Sequence, residues 1–176
     1  MLKRLARARV PLGFALAAAV LYLARPSMGT LAIGFPIALA GIIFRGAAAG
    51  VIRKNAALAQ QGPYRMTRNP LYFGSFLLAL GFAVMSGSLE AALLLVVPSA
   101  LIYPVVIKGE EAYLRDSFHS EFDAFCQGVP CFLPRRLNRK IFESFSLDCY
   151  FANREYNAAI GFVATMVVLL IKYVLG

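Results

Sequence analysis

Residues 71–107 read LYFGSFLLALGFAVMSGSLEAALLLVVPSALIYPVVI. Two apolar runs are separated only by Ser86-Gly87-Ser88, and Glu90 is the only charged residue in the stretch. Such a short turn sequence between two long apolar runs predicts a tight helical hairpin. The hydrocarbon core of a bilayer is the natural environment for segments with so little charge. The stretch therefore predicts an all-α membrane protein.

The remaining sequence repeats this pattern of apolar blocks. Crossing a hydrocarbon core of ~30 Å takes ~20 helical residues, and five runs approach that length, near residues 6–24, 28–50, 71–87, 89–107 and 157–175. The composition agrees, because 60% of the 176 residues are hydrophobic and 15% are charged, against about 45–50% and 25% in soluble domains. We predict one domain over residues 1–176, a polytopic bundle of about five transmembrane helices with a cytoplasmic cofactor pocket.

The distribution of charge predicts how this bundle lies in its membrane. Fifteen of the eighteen Lys and Arg lie in the N-terminal tail, in residues 51–70 and in residues 108–155. The positive-inside rule assigns these segments and the N-terminus to the cytoplasm, in what we expect to be a bacterial inner membrane. Arg25-Pro26 and a second apolar block follow the first run, which we interpret as a span and not as a signal peptide. Eight of the nine acids, all but Glu90, fall on the cytoplasmic side, where we expect the functional site.

Other classes of function fit the sequence poorly. The net charge is +9, but the basic residues lie between apolar blocks and not in an aromatic-interleaved patch, which argues against nucleic-acid binding. Cys126, Cys131 and Cys149 lack CxxC spacing, and His119 is their only possible histidine partner. We therefore predict free thiols in a reducing compartment and no metal site.

Residues 62–74 read Gly-Pro-Tyr-Arg-Met-Thr-Arg-Asn-Pro-Leu-Tyr-Phe-Gly. Asn69 suits a helix N-cap and Pro70 suits the first helical position, so the segment has a purely structural interpretation as the start of the third span. The rest of the motif adds two aromatic hydroxyls and two cations at the same interface, namely Tyr64, Arg65, Arg68 and Tyr72. Helix-start amides beside cations suit an anionic group such as a carboxylate.

The pattern Gly-Pro-Tyr-x-x-x-Arg-Asn-Pro-x-Tyr-x-Gly resembles the signature of the isoprenylcysteine carboxyl methyltransferase and phospholipid methyltransferase superfamily. A second element lies after the fourth apolar run and is similar to the paired glutamates and aromatic-rich segment of that family, which end in a Val-Pro element; here it comprises Glu110-Glu111, Leu114, Phe118, Phe122, Phe125, Val129-Pro130 and Pro134. The two motifs cover about residues 45–135 and leave an extra C-terminal helix near residues 157–175 outside. The family commonly has His where this chain has Asn69, which cannot carry a proton near neutral pH.

The resemblance implies an S-adenosylmethionine-dependent enzyme that methylates a carboxylate oxygen or an amine nitrogen of a lipid-soluble substrate at the cytoplasmic face. The chemistry is a displacement that needs no covalent catalyst, so we assign no catalytic residue. The implied cofactor contacts are Leu58, Tyr64, Asn69, Pro70, Leu71, Tyr72 and Glu110. We add Arg45 and Arg68 as partners of the cofactor carboxylate, although Arg45 also fits a snorkelling side chain. Glu111 fits a cofactor contact and a solvated acid equally well.

Two further cations are candidates for substrate binding, Lys108 and Arg154. Isoprenylcysteine enzymes use an arginine about one turn before the glutamate pair for their substrate. The corresponding residue here is Val106, with Lys108 as the nearest cation, so a prenylcysteine carboxylate fits poorly. For Arg154, a solvated helix start is the alternative interpretation.

Two other functions compete with methyl transfer. Membrane reductases of the sterol-reductase type resemble this architecture in their C-terminal half, but their NADPH would need more phosphate-binding positive charge than these motifs supply. A non-enzymatic membrane scaffold would leave the paired motifs unexplained.

Overall fold

The computed structural model describes residue 13 and residues 15–53, 57–135 and 140–176, and among these it contains helices and no strand. Residues 15–23 form α1. The chain continues through α2 (Met28–Ala49), a short 3-10 helix (Gly62–Arg65), α3 (Pro70–Ser86), α4 (Leu89–Gly128), α5 (Leu147–Ala152) and α6 (Tyr156–Leu175). The protein is an all-α membrane helical bundle, and the predicted fold class is confirmed.

The helix lengths agree with most of the predicted spans. Within the described residues, α2, α4 and α6 are long and apolar enough to cross a bilayer, while α3 is apolar but has only 17 residues. The predicted first span, residues 6–24, lies partly outside the described residues. The predicted end of the fourth span at residue 107 is not a helix end, because α4 continues for 40 residues in all.

A kink divides α4 at His119, where φ is 45° and ψ is −120°. A positive φ is uncommon for a residue other than glycine, and neither Pro nor Gly marks this position in the sequence. The kink allows Arg115 Nε to reach Asp123 Oδ1 at 2.9 Å, although residues eight apart in a straight helix are separated by about 12 Å along its axis. The part after His119 thereby turns back onto the bundle, with Phe122 fully buried.

Capping residues fix the ends of the predicted hairpin. Gly87 ends α3 in the left-handed conformation, with φ of 62°, which glycine adopts without steric cost. The Ser88 side chain begins α4 by accepting a hydrogen bond from Ala91 N at 3.3 Å. The Ser-Gly-Ser turn thus forms the connection that the sequence predicts.

Glycines bring α2 and α3 into close backbone contact. A Cβ atom on Gly41 would lie 2.7 Å from Gly74 O, and one on Gly34 would lie 2.8 Å from Met85 N. Neither position has room for a larger side chain, and small residues of this kind are typical of close helix pairs in membranes. The pair of helices forms the frame on which the remaining elements pack.

The C-terminal helix α6 packs on this frame. Phe162 contacts Phe82 of α3 with ring centroids 5.8 Å apart, and Phe35 of α2 at 6.3 Å. At the other end of α6, Lys172 Nζ donates hydrogen bonds to Leu21 O at 2.7 Å and to Tyr22 O at 3.0 Å. The helix is therefore held against α1, α2 and α3. In sequence it lies after both motifs.

Candidate functional site

The motif of residues 62–72 connects α2 to α3. Asn69 occupies the N-cap position of α3 and Pro70 its first turn, as predicted, but the Asn69 side chain makes no capping hydrogen bond. Its amide Nδ2 donates instead to Glu111 Oε1 and to Cys131 O, each at 3.0 Å. The side chain therefore joins the first motif to the second.

Arg68 makes the largest set of contacts between the two motifs. Its guanidinium pairs with Glu111 through Nε to Oε1 at 2.9 Å and Nη2 to Oε2 at 3.2 Å. Nη1 donates to Cys126 O at 3.1 Å and to Val129 O at 3.0 Å, and the Arg68 backbone N–H donates to Pro130 O at 2.9 Å. We call the unit formed by Arg68, Asn69, Glu111 and residues 126–131 the interlock.

Electrostatics within the interlock agree with a structural role. Burial lowers the pKa of Arg68, but the hydrogen bond and negative charge of Glu111 outweigh burial and raise that pKa above its usual value. Burial and the nearby Glu111 carboxylate raise the pKa of the Cys131 thiol, which favours its neutral form. The charges of Arg68 and Glu111 thus compensate each other within the chain.

Glu110 faces a different direction from its neighbour, because adjacent helical residues point about 100° apart. Its Oε1 accepts a hydrogen bond of 2.6 Å from the Tyr72 hydroxyl. Glu110 forms no ion pair with the described residues. Its carboxylate lines a cavity between the first motif and α4.

This cavity has a volume of about 380 Å³, within the ~300–1,000 Å³ that is usual for small-molecule sites. The predicted cofactor contacts that line it are Leu58, Tyr64, Arg68, Asn69, Pro70, Leu71, Tyr72 and Glu110. Arg45 and Glu111 do not line it. Lys108 and Arg154, the predicted substrate contacts, line neither this cavity nor the two adjoining ones.

Arg45 is engaged elsewhere in the bundle. Its Nε and Nη2 contact Glu155 Oε1 and Oε2 at 2.6 and 2.9 Å, and Nη1 contacts the Ser75 hydroxyl. The Glu155 side chain is only 7% exposed. Arg45 is therefore an ion-pair partner for the segment before α6, and its charge is compensated there.

Aromatic side chains pack next to the cavity and line part of it. Phe122 is fully buried and packs with Phe125, Tyr64 and Ala48 in one apolar cluster. Phe118 and Phe125 of the predicted aromatic stripe also line the cavity. Burial is the main reason that the pKa of Tyr64 is raised, so its hydroxyl remains protonated and available as a donor.

Several residues that line the cavity were not predicted from the sequence, notably Arg53, Tyr113 and Ser117. Arg53 is exposed and forms no ion pair with any acid in the described part of the chain. The only signal for it was the basic character of residues 51–70, because it belongs to neither motif. Arg53 lines this cavity and the two adjoining ones, and its charge, unlike those of Arg68 and Arg45, is not paired with a described acid.

Two curated relatives match part of the chain. They are the nickel-cobalt-cadmium resistance protein NccN of Alcaligenes xylosoxydans xylosoxydans and the cobalt-zinc-cadmium resistance protein CzcN of Cupriavidus metallidurans, each 40% identical over 83 residues. The alignments cover 47% of this chain and 38% of each relative, so this chain spans well under half the length of these proteins. No solved structure matches the chain.

The model of the phospholipid methyltransferase family matches residues 11–121. The match includes the first motif, the helical hairpin and the paired glutamates, and it ends within the aromatic-rich segment. It therefore contains most of the residues around the cavity. The chain belongs to the phospholipid methyltransferase family.

Proposed function

We propose that this protein transfers a methyl group from S-adenosylmethionine to a lipid-soluble substrate at the cytoplasmic face of its membrane. Family membership implies methyltransferase activity. The observation that carries the specific proposal is the cavity in which Glu110 and Arg53 provide opposite charges within largely apolar walls. A zwitterionic nucleoside with a flat base needs this combination of surfaces.

The residues around the cavity fit the chemical groups of the cofactor. Leu58, Leu71 and Phe118 offer apolar surface for an adenine ring. Glu110 is suited to accept hydrogen bonds from ribose hydroxyls or from a cationic amine, and such charge-assisted bonds are the stronger kind. Arg53 is suited to pair with the carboxylate of the amino-acid part, since a guanidinium matches a carboxylate with two parallel hydrogen bonds.

S-adenosylmethionine supplies an activated methyl group on a sulfonium, so the protein mainly has to align the reactants and exclude water. Tyr72 holds Glu110 across α3 and α4, which fixes one wall of the cavity. The aromatic cluster around Phe122 supplies apolar lining through Tyr64, Phe118 and Phe125. The acceptor is an oxygen or nitrogen nucleophile on a lipophilic molecule that approaches from the bilayer.

A reductase is less well supported. NADPH carries several phosphate charges, whereas Arg68 in this cavity is already paired with Glu111. Calorimetric titration of the purified protein with S-adenosylmethionine, S-adenosylhomocysteine and NADPH separates the two functions. We expect the two sulfur nucleosides to bind and NADPH not to bind; binding of NADPH alone would refute the proposal.

We also propose that the cavity faces the cytoplasm, in accordance with the concentration of Lys and Arg in the segments that form it. Cys126 and Cys131 are free thiols on this side of the bundle. They should react with a membrane-impermeant thiol reagent in permeabilised cells and not in intact cells. Equal labelling of intact and permeabilised cells would reverse the orientation.

A further inference from the structure

The segment around α5, which follows the second motif, forms hydrogen bonds with the end of α2 through two residues, Ser146 and Asn153. Ser146 N donates to Gly50 O at 2.9 Å. Asn153 Nδ2 donates to Ala49 O at 2.9 Å and to Ile52 O at 3.1 Å. The last carbonyls of a helix lack hydrogen-bond donors within the helix. At the end of α2, the donors come from the two capping residues of α5, Ser146 and Asn153.

These hydrogen bonds hold the residues that follow α2 and line the cavity. Ile52 and Arg53 line the cavity, and the carbonyl between them accepts the hydrogen bond from Asn153. The Phe145 ring also lies directly against Gly50, so close that a side chain at this position would collide with it. The residues that make these contacts, Phe145, Ser146 and Asn153, lie outside residues 11–121, which the family model matches.

The apolar wall of the cavity touches this turn through Ile52, which packs against the aromatic cluster, but it has supports of its own. Tyr64, Leu71 and Phe118 pack in the aromatic cluster, and the interlock fixes the start of α3 through Arg68. Neither group contacts Asn153 by a hydrogen bond within the described residues. A disturbance at Asn153 should therefore displace exposed Arg53 more than the apolar wall, which the fully buried Phe122 and the interlock hold in place.

We propose that Asn153 is a positioning residue that sets the subsite for the cofactor's carboxylate by holding Ile52 and Arg53. This inference rests on the proposed function and goes beyond it, because it divides the cavity into a nucleoside part built by the two motifs and a carboxylate part built by the C-terminal segment. The two parts predict different responses to ligands with and without the amino-acid group.

The test compares S-adenosylhomocysteine with 5′-methylthioadenosine, which has the same nucleoside but no amino-acid carboxylate. Asn153→Ala should weaken binding of S-adenosylhomocysteine about tenfold, the loss expected for one charge-assisted contact, and leave binding of methylthioadenosine unchanged. Arg53→Gln should show the same selectivity. The double variant should lose little more than either single variant, since both changes act on one contact.

Asn157→Ala is the matched control, because Asn157 lies four residues further on, is exposed and does not line the cavity. Equal weakening of both ligands by Asn153→Ala would show a general collapse of the cavity and overturn the inference, as would unchanged binding of both. If Asn153→Ala melts at a lower temperature, Arg53→Gln alone still decides whether the carboxylate subsite exists. Failure of the wild type to bind either nucleoside would instead refute the proposed function.

Discussion

Glu110 and Glu111 are neighbours in sequence but belong to two regions that differ in how their charges are paired. In the interlock, Glu111 shares both of its oxygens with Arg68 and also accepts from Asn69. In the cavity, Glu110 accepts from Tyr72 through one oxygen, and the cation Arg53 forms no ion pair within the described residues. Charges that are paired within the chain maintain the structure, and those left without an ionic partner are the ones available to a ligand.

The interlock should show the largest effect on stability when one of its charges is removed. Arg68→Ala leaves Glu111 partly buried without its cation and removes the hydrogen bonds to the carbonyls of Cys126 and Val129. Losses of this kind cost about 2–4 kcal/mol. We expect a clearly lower melting temperature in detergent solution. A melting temperature equal to that of the wild type would show that the interlock does not hold the two motifs together.

The cavity should respond in the opposite way, with a change in affinity and little change in stability. Glu110→Gln removes a charged acceptor, and charge-assisted contacts are worth about 1.5–3 kcal/mol, so S-adenosylmethionine should bind at least tenfold more weakly by calorimetry. The melting temperature should stay near that of the wild type. Asp116→Asn is the control, since Asp116 is exposed on the same helix and does not line the cavity.

For Glu110→Gln, unchanged affinity would remove this residue from the cofactor site. A lower melting temperature together with weaker binding would place Glu110 with the interlock and erase the distinction between the two glutamates.

Asn69 lies at the boundary of the two regions, because it lines the cavity and also donates to Glu111 and Cys131. Asn69→Leu removes both donors and should cost about 1–2 kcal/mol of stability, with weaker cofactor binding. Asn69→His retains a ring N–H donor and should lose less by both measurements. Equal behaviour of the two variants would show that the hydrogen bonds of Asn69 contribute nothing.

The smallest effect is expected at the ion pair across the α4 kink. Arg115 and Asp123 are each 55% exposed in their side chains, and exposed ion pairs contribute little to stability because water and salt screen them. Arg115→Gln should therefore leave the melting temperature unchanged. A large decrease would mean that the contacts of Arg115, with Asp123 and with the Phe122 ring 5.6 Å away, maintain the bend.

The sequence predicted the parts of the structure that depend on local chemistry. The Ser-Gly-Ser turn, Pro70 in the first turn of α3 and the apolar helices follow from capping preferences and hydropathy. The grouping of Tyr64, Tyr72 and Glu110 around one cavity agrees with the motif-based expectation, while their function as cofactor contacts stays a prediction.

The features that sequence analysis missed depend on partners distant in the chain. Nothing local to Arg45 indicates that Glu155, 110 residues away, compensates its charge. The bend at His119 has no local signal either, since neither Pro nor Gly lies at this position and the buried Phe122 after it packs against residues distant in the chain. Arg53 belongs to no motif, and only the position of α5 against the end of α2 reveals where it lies.

The long separation between Arg45 and Glu155 also bears on how the protein is made. A ribosome adds about 5–20 residues per second, so Arg45 is added to the chain about 5–20 s before Glu155, the residue that will pair with it, 110 residues later. During this interval the arginine can keep its guanidinium at the membrane surface, since it lies in the last part of α2 and has a long side chain. Docking of the segment before α6 is therefore a late event in biogenesis, and a chain that ends before Glu155 has an Arg45 whose charge this carboxylate does not compensate.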